Sequence, residues 1–316
     1  MRFDIITLFP ELFAPLLTSG ITRRAYEAGL VDVHLWNPRD HAEGNYRRVD
    51  DRSFGGGPGM VMMAEPLFKC LSAIRDDRRE AEPAPLVLFS PIGQALNHTA
   101  VAQWSASAGA VLLCGRYEGV DQRFIDQYVD QQISLGDFVL SGGEIAAMAL
   151  LDALARLQPG VLNDEGSHQL DSFNPSLDGL LDSPHYTRPE VWQGHAVPPE
   201  LMSGHHAHIE RWRRDQSLSL TALNRPELLE QARQLGKLSR LDESSLQRSK
   251  ASVNQVVPPT PAKKLNTKND LRALPKTVRL QILIVLSALW STAFSVWVFT
   301  VPMFIYEIGR ASCRER

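Results

Sequence analysis

Along the first 160 residues, short apolar runs alternate with stretches in which apolar positions recur every three or four. "RFDIITLF" (2–9) reads as a strand that stops at Pro10, and "VDVHLWN" (31–37) reads as a second. Between them, "ELFAPLLTSGITRRAYEAGL" (11–30) has helical spacing interrupted at Gly20. Three further runs each read as a buried strand running into a loop: "PLVLFSPIG" (85–93), "AVLLCGRYEG" (110–119) and "QQISLGDFVLSGG" (131–143). "EIAAMALLDALARL" (144–157) is a helix of small and apolar residues. Strands alternating with helices predict βα units, and hence an α/β fold around a mostly parallel sheet.

The last three strands end alike, in loops bearing Gly93, then Gly115 and Gly119, then Gly136, Gly142 and Gly143. Glycine lacks Cβ and serves where the chain turns hard or where backbone must be approached closely. In open α/β sheets, ligands sit beyond the carboxyl ends of the strands. Three such ends converging predict one pocket of exposed backbone groups with little charge, suited to a planar, polar and mostly neutral ligand.

Other stretches add candidate chemistry. "FGGGPGM" (54–60) lacks the Gly-Lys-Ser/Thr of a P-loop and the strand-borne G-x-G-x-x-G of a dinucleotide fold, so its glycine density predicts a functional loop of another kind. The surrounding segment, residues 34–59, is poor in apolar residues and carries Arg39, Arg47, Arg48 and Arg52, a composition suited to phosphate contact. "GRYEGVDQRFID" (115–126) reads equally as a helix start, with Glu118 and Asp121 favoured by the dipole, and as a pocket wall bearing Glu118. "HHAHIERWRR" (205–214) has three histidines but no spaced Cys or carboxylate to complete a zinc site. Its Arg211, Trp212, Arg213 and Arg214 suit an RNA backbone and an unstacked base, while spacing alone favours a solvated helix face around a core Trp. In "LDSFNPSLDGLLDSPHYTRPEVW" (170–192), an Asp beside the helix bearing Arg156 makes a candidate acid/base pair, with Asp171, Asp178 and Asp182 all open.

Composition narrows the setting. With 316 residues and 44% hydrophobic content the chain is globular, with room for one large domain or two ordinary ones. The net charge of −3 excludes a uniformly basic nucleic-acid binder, so any RNA surface is a local patch. Cys70, Cys114 and Cys313 are too few and too widely spaced for a disulfide framework or a zinc site, which predicts a reducing, cytoplasmic compartment. The opening "MRFDIITLFPELF" is not a signal peptide. Four of the seven lysines fall within 251–316, and "SVNQVVPPTPAKKLNTKND" (252–270) reads as a linker. The soluble body is therefore expected to end near residue 247. Leu280 to Tyr306 carries no charge and is long enough to span a bilayer as a helix.

Together, "LFPELF", "ITRRA", "VDDRSFGGGPGMVM", "SPIGQ", "CGRYEGVDQRFI", "SLGDFVLSGGE", "DSF", "GLLDSPHYTRPEVW" and "SGHHAHIERWR" resemble the bacterial tRNA (guanine-N1)-methyltransferase family, TrmD, of the knotted SPOUT class. The resemblance runs from residue 1 to about 247. It implies a deep trefoil knot at the three strand ends, bent S-adenosylmethionine bound there, a homodimer with sites at the subunit interface, and guanosine 37 of tRNA as substrate. It assigns a knotted methyltransferase domain to 1–160, a linker to 161–176 and a helical tRNA-binding domain to 177–247, followed by a polar linker over 248–279. It implies Asp171 as general base and Arg156 as the cation that stabilises charge on O6. It further implies a cofactor pocket of Leu88, Ser90, Pro91, Gly93, Gly115, Tyr117, Glu118, Ile133, Gly136, Phe138, Leu140, Gly142 and Gly143. Arg52, Gly57, Gly59, His185, Arg211 and Arg213 are implied on the tRNA. Magnesium dependence is implied too, although no ligand set is visible in the sequence. Three positions depart from the family pattern: Phe138 for a common Tyr, Leu170 for a common acidic residue, and Ser183 for a usual Cys.

The tail lies outside the resemblance. Residues 280–306 read as a transmembrane helix or as misjoined sequence. "EIGRASCRER" (307–316) looks like the translation of a sequencing-library adaptor, so an artefactual end is expected. The reading from another class, a non-catalytic RNA-binding protein with a SPOUT fold, is distinguished by Arg156 and Asp171, which a pure binder has no reason to keep together.

Overall fold

The computed structural model describes residues 1–79, 83–163 and 168–255, of which 1–249 form one compact unit. The readings of 280–306 and 307–316, and most of the 248–279 linker, lie outside the described residues. Among those described, no helix is long and apolar enough to cross a membrane.

The chain opens with β1 (Arg2–Ile6), short helices α1 (Ala14–Thr18) and α2 (Arg23–Glu27), and β2 (Asp32–Trp36). A two-residue ribbon, β3 (Asp50–Asp51) against β4 (Val61–Met62), carries the glycine-rich loop. Then follow α3 (Ala64–Arg78), β5 (Leu86–Ala95), α4 (His98–Ser105), β6 (Gly109–Leu113), α5 (Gln122–Tyr128), β7 (Gln131–Ser134) and α6 (Glu144–Arg156). The five long strands form one parallel sheet in the order β2-β1-β6-β5-β7. The fold is α/β, as the alternation of strands and helices predicts.

Both faces of the sheet are buried, which is why its strands read as continuous apolar runs. On one face Phe3, Ile5, Val87, Phe89, Ala110 and Leu112 pack against α4 and α6 through Val101, Trp104, Ala147, Leu150 and Leu154. On the other, Ile6, Leu86, Leu88, Val111 and Leu113 pack against α3 and α5 through Leu67, Leu71, Ile74 and Phe124. Asp4, on β1, is a fully buried charge. It is held by Arg2 at 2.8 Å, Arg78 at 2.5 Å and the Trp36 indole N–H at 2.8 Å, as a buried carboxylate requires.

Beyond α6 the chain makes a small hairpin, β8 (Val191–Trp192) with β9 (His195–Ala196), and then helices α7 (Pro199–Met202), α8 (His206–Asn224), α9 (Pro226–Gln234) and α10 (Arg240–Gln255). Leu180, Leu218, Leu229, Ala232 and Leu246 form a separate small core there. Helix α10 continues past residue 247, where the composition change put the end of the body. No Pro or Gly falls between 248 and 255 to stop it.

Candidate active site

A cavity of about 340 Å³ opens at the carboxyl ends of β5, β6 and β7. Its walls come mainly from four stretches: Leu88 to Ile92, Gly115 to Val120, Gln132 to Leu135, and Phe138 to Gly143. Every residue expected in the cofactor pocket lines it except Gly93 and Gly136. Gly93 lies in a bulge where β5 shifts register against β7 between Phe89 and Gln94. A Cβ there would stand 2.5 Å from the Gln132 carbonyl carbon and the Ile133 nitrogen, so this glycine serves strand crossing. Gly136, at φ +151, follows Ser134, whose hydroxyl donates to the Gly136 carbonyl and accepts from its N–H, each at 3.1 Å.

The loops from β6 and β7 lie against each other. The Gly143 N–H donates to the Gly115 carbonyl at 3.0 Å, and Arg116 bridges Gly142 in an antiparallel contact. A Cβ at Gly143 would stand 2.7 Å from the Cys114 Cα. The glycine-rich loop reaches the same rim. Glu118 N–H donates to the Met60 carbonyl and Met62 N–H to the Gly119 carbonyl, both at 2.9 Å, while a Cβ at Gly59 would overlap the Glu118 carboxylate.

Tyr117 sits at φ +61, a conformation L-residues rarely adopt and one that clusters at functional sites. Its hydroxyl lies within reach of Arg39 at 3.5 Å. Burial, then the nearby Asp50 carboxylate, pushes the phenol upward, so it stays neutral and able to donate at physiological pH. Asp121 plays the helix-start role, accepting from the Arg123 N–H at 3.0 Å as N-cap of α5. Glu118 is on the cavity wall.

The three open aspartates separate by partner. Asp178 pairs with Arg214 at 2.8 Å, and Asp182 with His185 at 2.8 Å. Asp171 pairs with Arg156, Oδ2 to Nη2 at 2.5 Å, with both side chains part-exposed.

A model of the tRNA (Guanine-1)-methyltransferase TrmD family matches residues 1–231. The chain belongs to that family. It is 75% identical over 248 residues to the tRNA (guanine-N(1)-)-methyltransferase of Paracidovorax citrulli (strain AAC00-1), covering 78% of this chain and 97% of that one. Identity is 73% over 248 residues to the protein of that name from Polaromonas sp. (strain JS666 / ATCC BAA-500), covering 78% and 96%. It is 60% over 252 residues to the one from Methylibium petroleiphilum (strain ATCC BAA-1232 / LMG 22953 / PM1), covering 78% and 97%.

The residues that TrmD resemblance puts on tRNA are dispersed. Arg52 is exposed on the glycine-rich loop, beside Gly57 (φ +117) and Gly59 (φ +79). Arg213 faces solvent on α8. Arg211 does not: it pairs with Asp215 and, at 3.0 Å, with Asp242, tying α8 to α10. Its partner on α10, Asp242, is remote in sequence, so the local spacing around Trp212 does not signal it. Trp212 makes an edge contact with Tyr186 at 6.1 Å. Sequence reading also passed over Arg116 and Glu144 as a pair. The residues are 28 apart, and nothing local to either signals the other.

Proposed function

We propose that this protein transfers the methyl group of S-adenosylmethionine to N1 of guanosine 37 of tRNA, acting in the cytoplasm as a homodimer. The observation that carries the reading is the Arg156–Asp171 contact within a chain of the TrmD family. An RNA-binding module needs no such pair.

The cavity fits the methyl donor. Its volume is in the range of small-ligand pockets, about 300–1,000 Å³. Leu88, Ile133 and Leu140 offer apolar surface for a purine, and the glycine loops offer backbone groups. Glu118 is a wall carboxylate, while the one wall guanidinium, Arg116, is neutralised by Glu144. That balance suits a cationic ligand. S-adenosylmethionine, when bound, supplies a methyl group activated by its sulfonium. The two loops that cross at Gly115 and Gly143, with the β5–β7 crossing at Gly93, support a trefoil knot here.

On the acceptor side, guanine N1 carries a proton at neutral pH and is a poor nucleophile. Asp171 takes that proton, and the negative charge that spreads to O6 meets Arg156, whose fork of donors suits it. The pair must part far enough to admit the guanine edge between them. Among the described residues no cluster of three or more His, Cys, Asp or Glu is placed to hold a metal ion, so no step is assigned to magnesium.

The dimer is supported by distance. Ala146 on the cavity wall and Arg156 stand ten residues apart on α6, about 15 Å along a helix. Methyl transfer needs reacting atoms about 3–3.5 Å apart. A second copy that brings its Arg156 and Asp171 to this cavity closes the gap, and Ile92 and Val139, each 83% exposed on the rim, offer it apolar surface.

The test is methyl incorporation from labelled S-adenosylmethionine into a tRNA transcript with guanine at position 37. Incorporation is expected, and is lost when that base is adenine; equal labelling of both would refute the assignment. Asp171→Ala is expected to lose at least about a hundredfold in kcat, the contribution of a general base, with cofactor binding retained. Full activity in that variant would exclude Asp171 as the base.

A further inference from the structure

Glu144 is 1% exposed at the first turn of α6, next in the chain to Gly143 on the cavity wall. A buried carboxylate is costly unless it is paired and hydrogen-bonded. Here Oε1 accepts from Arg116 Nε at 3.0 Å and from the Thr7 hydroxyl at 2.9 Å, while Oε2 stands 2.9 Å from the same Nε as an ion-pair contact with no hydrogen bond of its own. The positive end of the helix dipole adds to the favourable field.

Arg116 makes other contacts. Its Nη1 donates to the Ser141 carbonyl at 3.2 Å, its guanidinium lies over the Phe9 ring at 4.4 Å, and its backbone N–H faces the Met62 sulfur at 3.2 Å. One side chain thus joins the end of β1, the loop after β6, the loop after β7 and the start of α6. The two loops are the cavity's walls. Tyr117, the next residue on the wall, has a left-handed backbone at φ +61.

Gly142 is explained by the same contact. A Cβ there would overlap the Arg116 Nε and stand 2.6 Å from the Glu144 Oε2. Its missing side chain makes room for the ion pair.

We propose that Arg116 and Glu144 form a buried latch that positions both loop walls of the cofactor cavity, with Gly142 as its seat. They are positioning residues: neither is assigned to the reacting atoms. This rests on the reading of the cavity as the S-adenosylmethionine site. Loosening the latch weakens cofactor binding while the chemistry of Arg156 and Asp171 is left intact.

The full chain tests it with Glu144→Gln, which keeps the shape and removes the charge, and with the milder Arg116→Lys. Three quantities are read: the dissociation constant of S-adenosylhomocysteine by calorimetry, KM and kcat with saturating tRNA, and the thermal midpoint. In Glu144→Gln the dissociation constant and the cofactor KM should both rise on the order of tenfold, as loss of a charged hydrogen bond allows. At saturating cofactor, kcat should change by less than about threefold, the split that separates binding from chemistry. Arg116→Lys should show the same split to a smaller degree, and it carries the test if Glu144→Gln does not fold. Folded variants that bind S-adenosylhomocysteine like wild type would overturn the latch alone, as would a fall in kcat with KM unchanged. A wild-type chain that fails to bind S-adenosylhomocysteine would overturn the reading of the cavity and the latch with it.

Discussion

Four glycines around the cavity are distinguished by what a side chain would strike. At Gly142 it strikes an ion pair, at Gly143 the Cys114 backbone, and at Gly93 the backbone of a neighbouring strand. At Gly115 it would meet only Leu88 and Val120 side chains, at an ordinary 3.6 Å. At the first three positions the sequence announces that something comes close but not what, because Arg116, Cys114 and Gln132 are remote from them in the chain. Phe138, the departure from the family's tyrosine, is 55% exposed on the cavity rim with its ring over Gly136. The two buried cysteines among the described residues, Cys70 and Cys114, give a test at this scale. Burial, then Asp40 and Asp4, pushes the Cys70 thiol up to about 12, and burial, then Glu144, raises that of Cys114. The thiolate is the reactive form, so alkylation of the native protein at pH 8 should leave both unlabelled. Peptide mass mapping checks this against protein unfolded in guanidinium, where both should label; native labelling of Cys114 would mean that the crossing loops open.

The strands of the main sheet and helix α6 were legible from their apolar patterns, while several other elements were not. The β3–β4 ribbon has two residues per strand, too few for any alternation to register. β5 continues past Gly93 to Ala95 because a bulge lets it resume pairing, and a bulge leaves no apolar period. The spacing of α8 favours a solvated face bearing arginines, and two of these, Arg211 and Arg214, are engaged by Asp215, Asp242 and Asp178. That network makes the helical region sensitive to acid. At Asp242, burial pushes the carboxyl up, but the Ser239 backbone N–H and the Arg214 guanidinium outweigh it, and the net shift is downward. At Asp215 burial is likewise outweighed, by Arg211 and Ser245. A carboxyl depressed in the folded state contributes stability above its unfolded pKa and loses it as pH falls through the folded value. Stability of this region should therefore drop below about pH 4. Arg214→Met should cost about 1–3 kcal/mol at pH 7, by leaving Asp242 short of a partner, and should flatten that acid limb. Urea unfolding followed by circular dichroism across pH measures both; an unchanged acid limb would show that Arg214 does not stabilise Asp242.

At the scale of the whole molecule, the proposed donor cavity lies at the start of α6 and Arg156 of the proposed acceptor pair at its end. Within one chain a straight α6 keeps Arg156 about 15 Å along the helix from Ala146 on the cavity wall. The proposed homodimer solves this by giving each site a cavity from one copy and an Arg156–Asp171 pair from the other, which twofold symmetry makes two identical composite sites. Such an assembly makes a prediction that a self-sufficient chain does not. Asp171→Ala spoils only the acceptor side, and Leu140→Arg, which places a charged side chain in the cavity, spoils only the donor side. Each variant alone should be inactive. After unfolding and refolding as an equal mixture, half of the dimers pair one of each, and in those one of the two sites is intact. The mixture should recover about a quarter of wild-type activity per chain, the fraction that statistical exchange between twofold partners allows. Recovery no greater than the sum of the separate variants would place both half-sites in one chain, and α6 would then have to bend or the Asp171 segment fold back over the cavity.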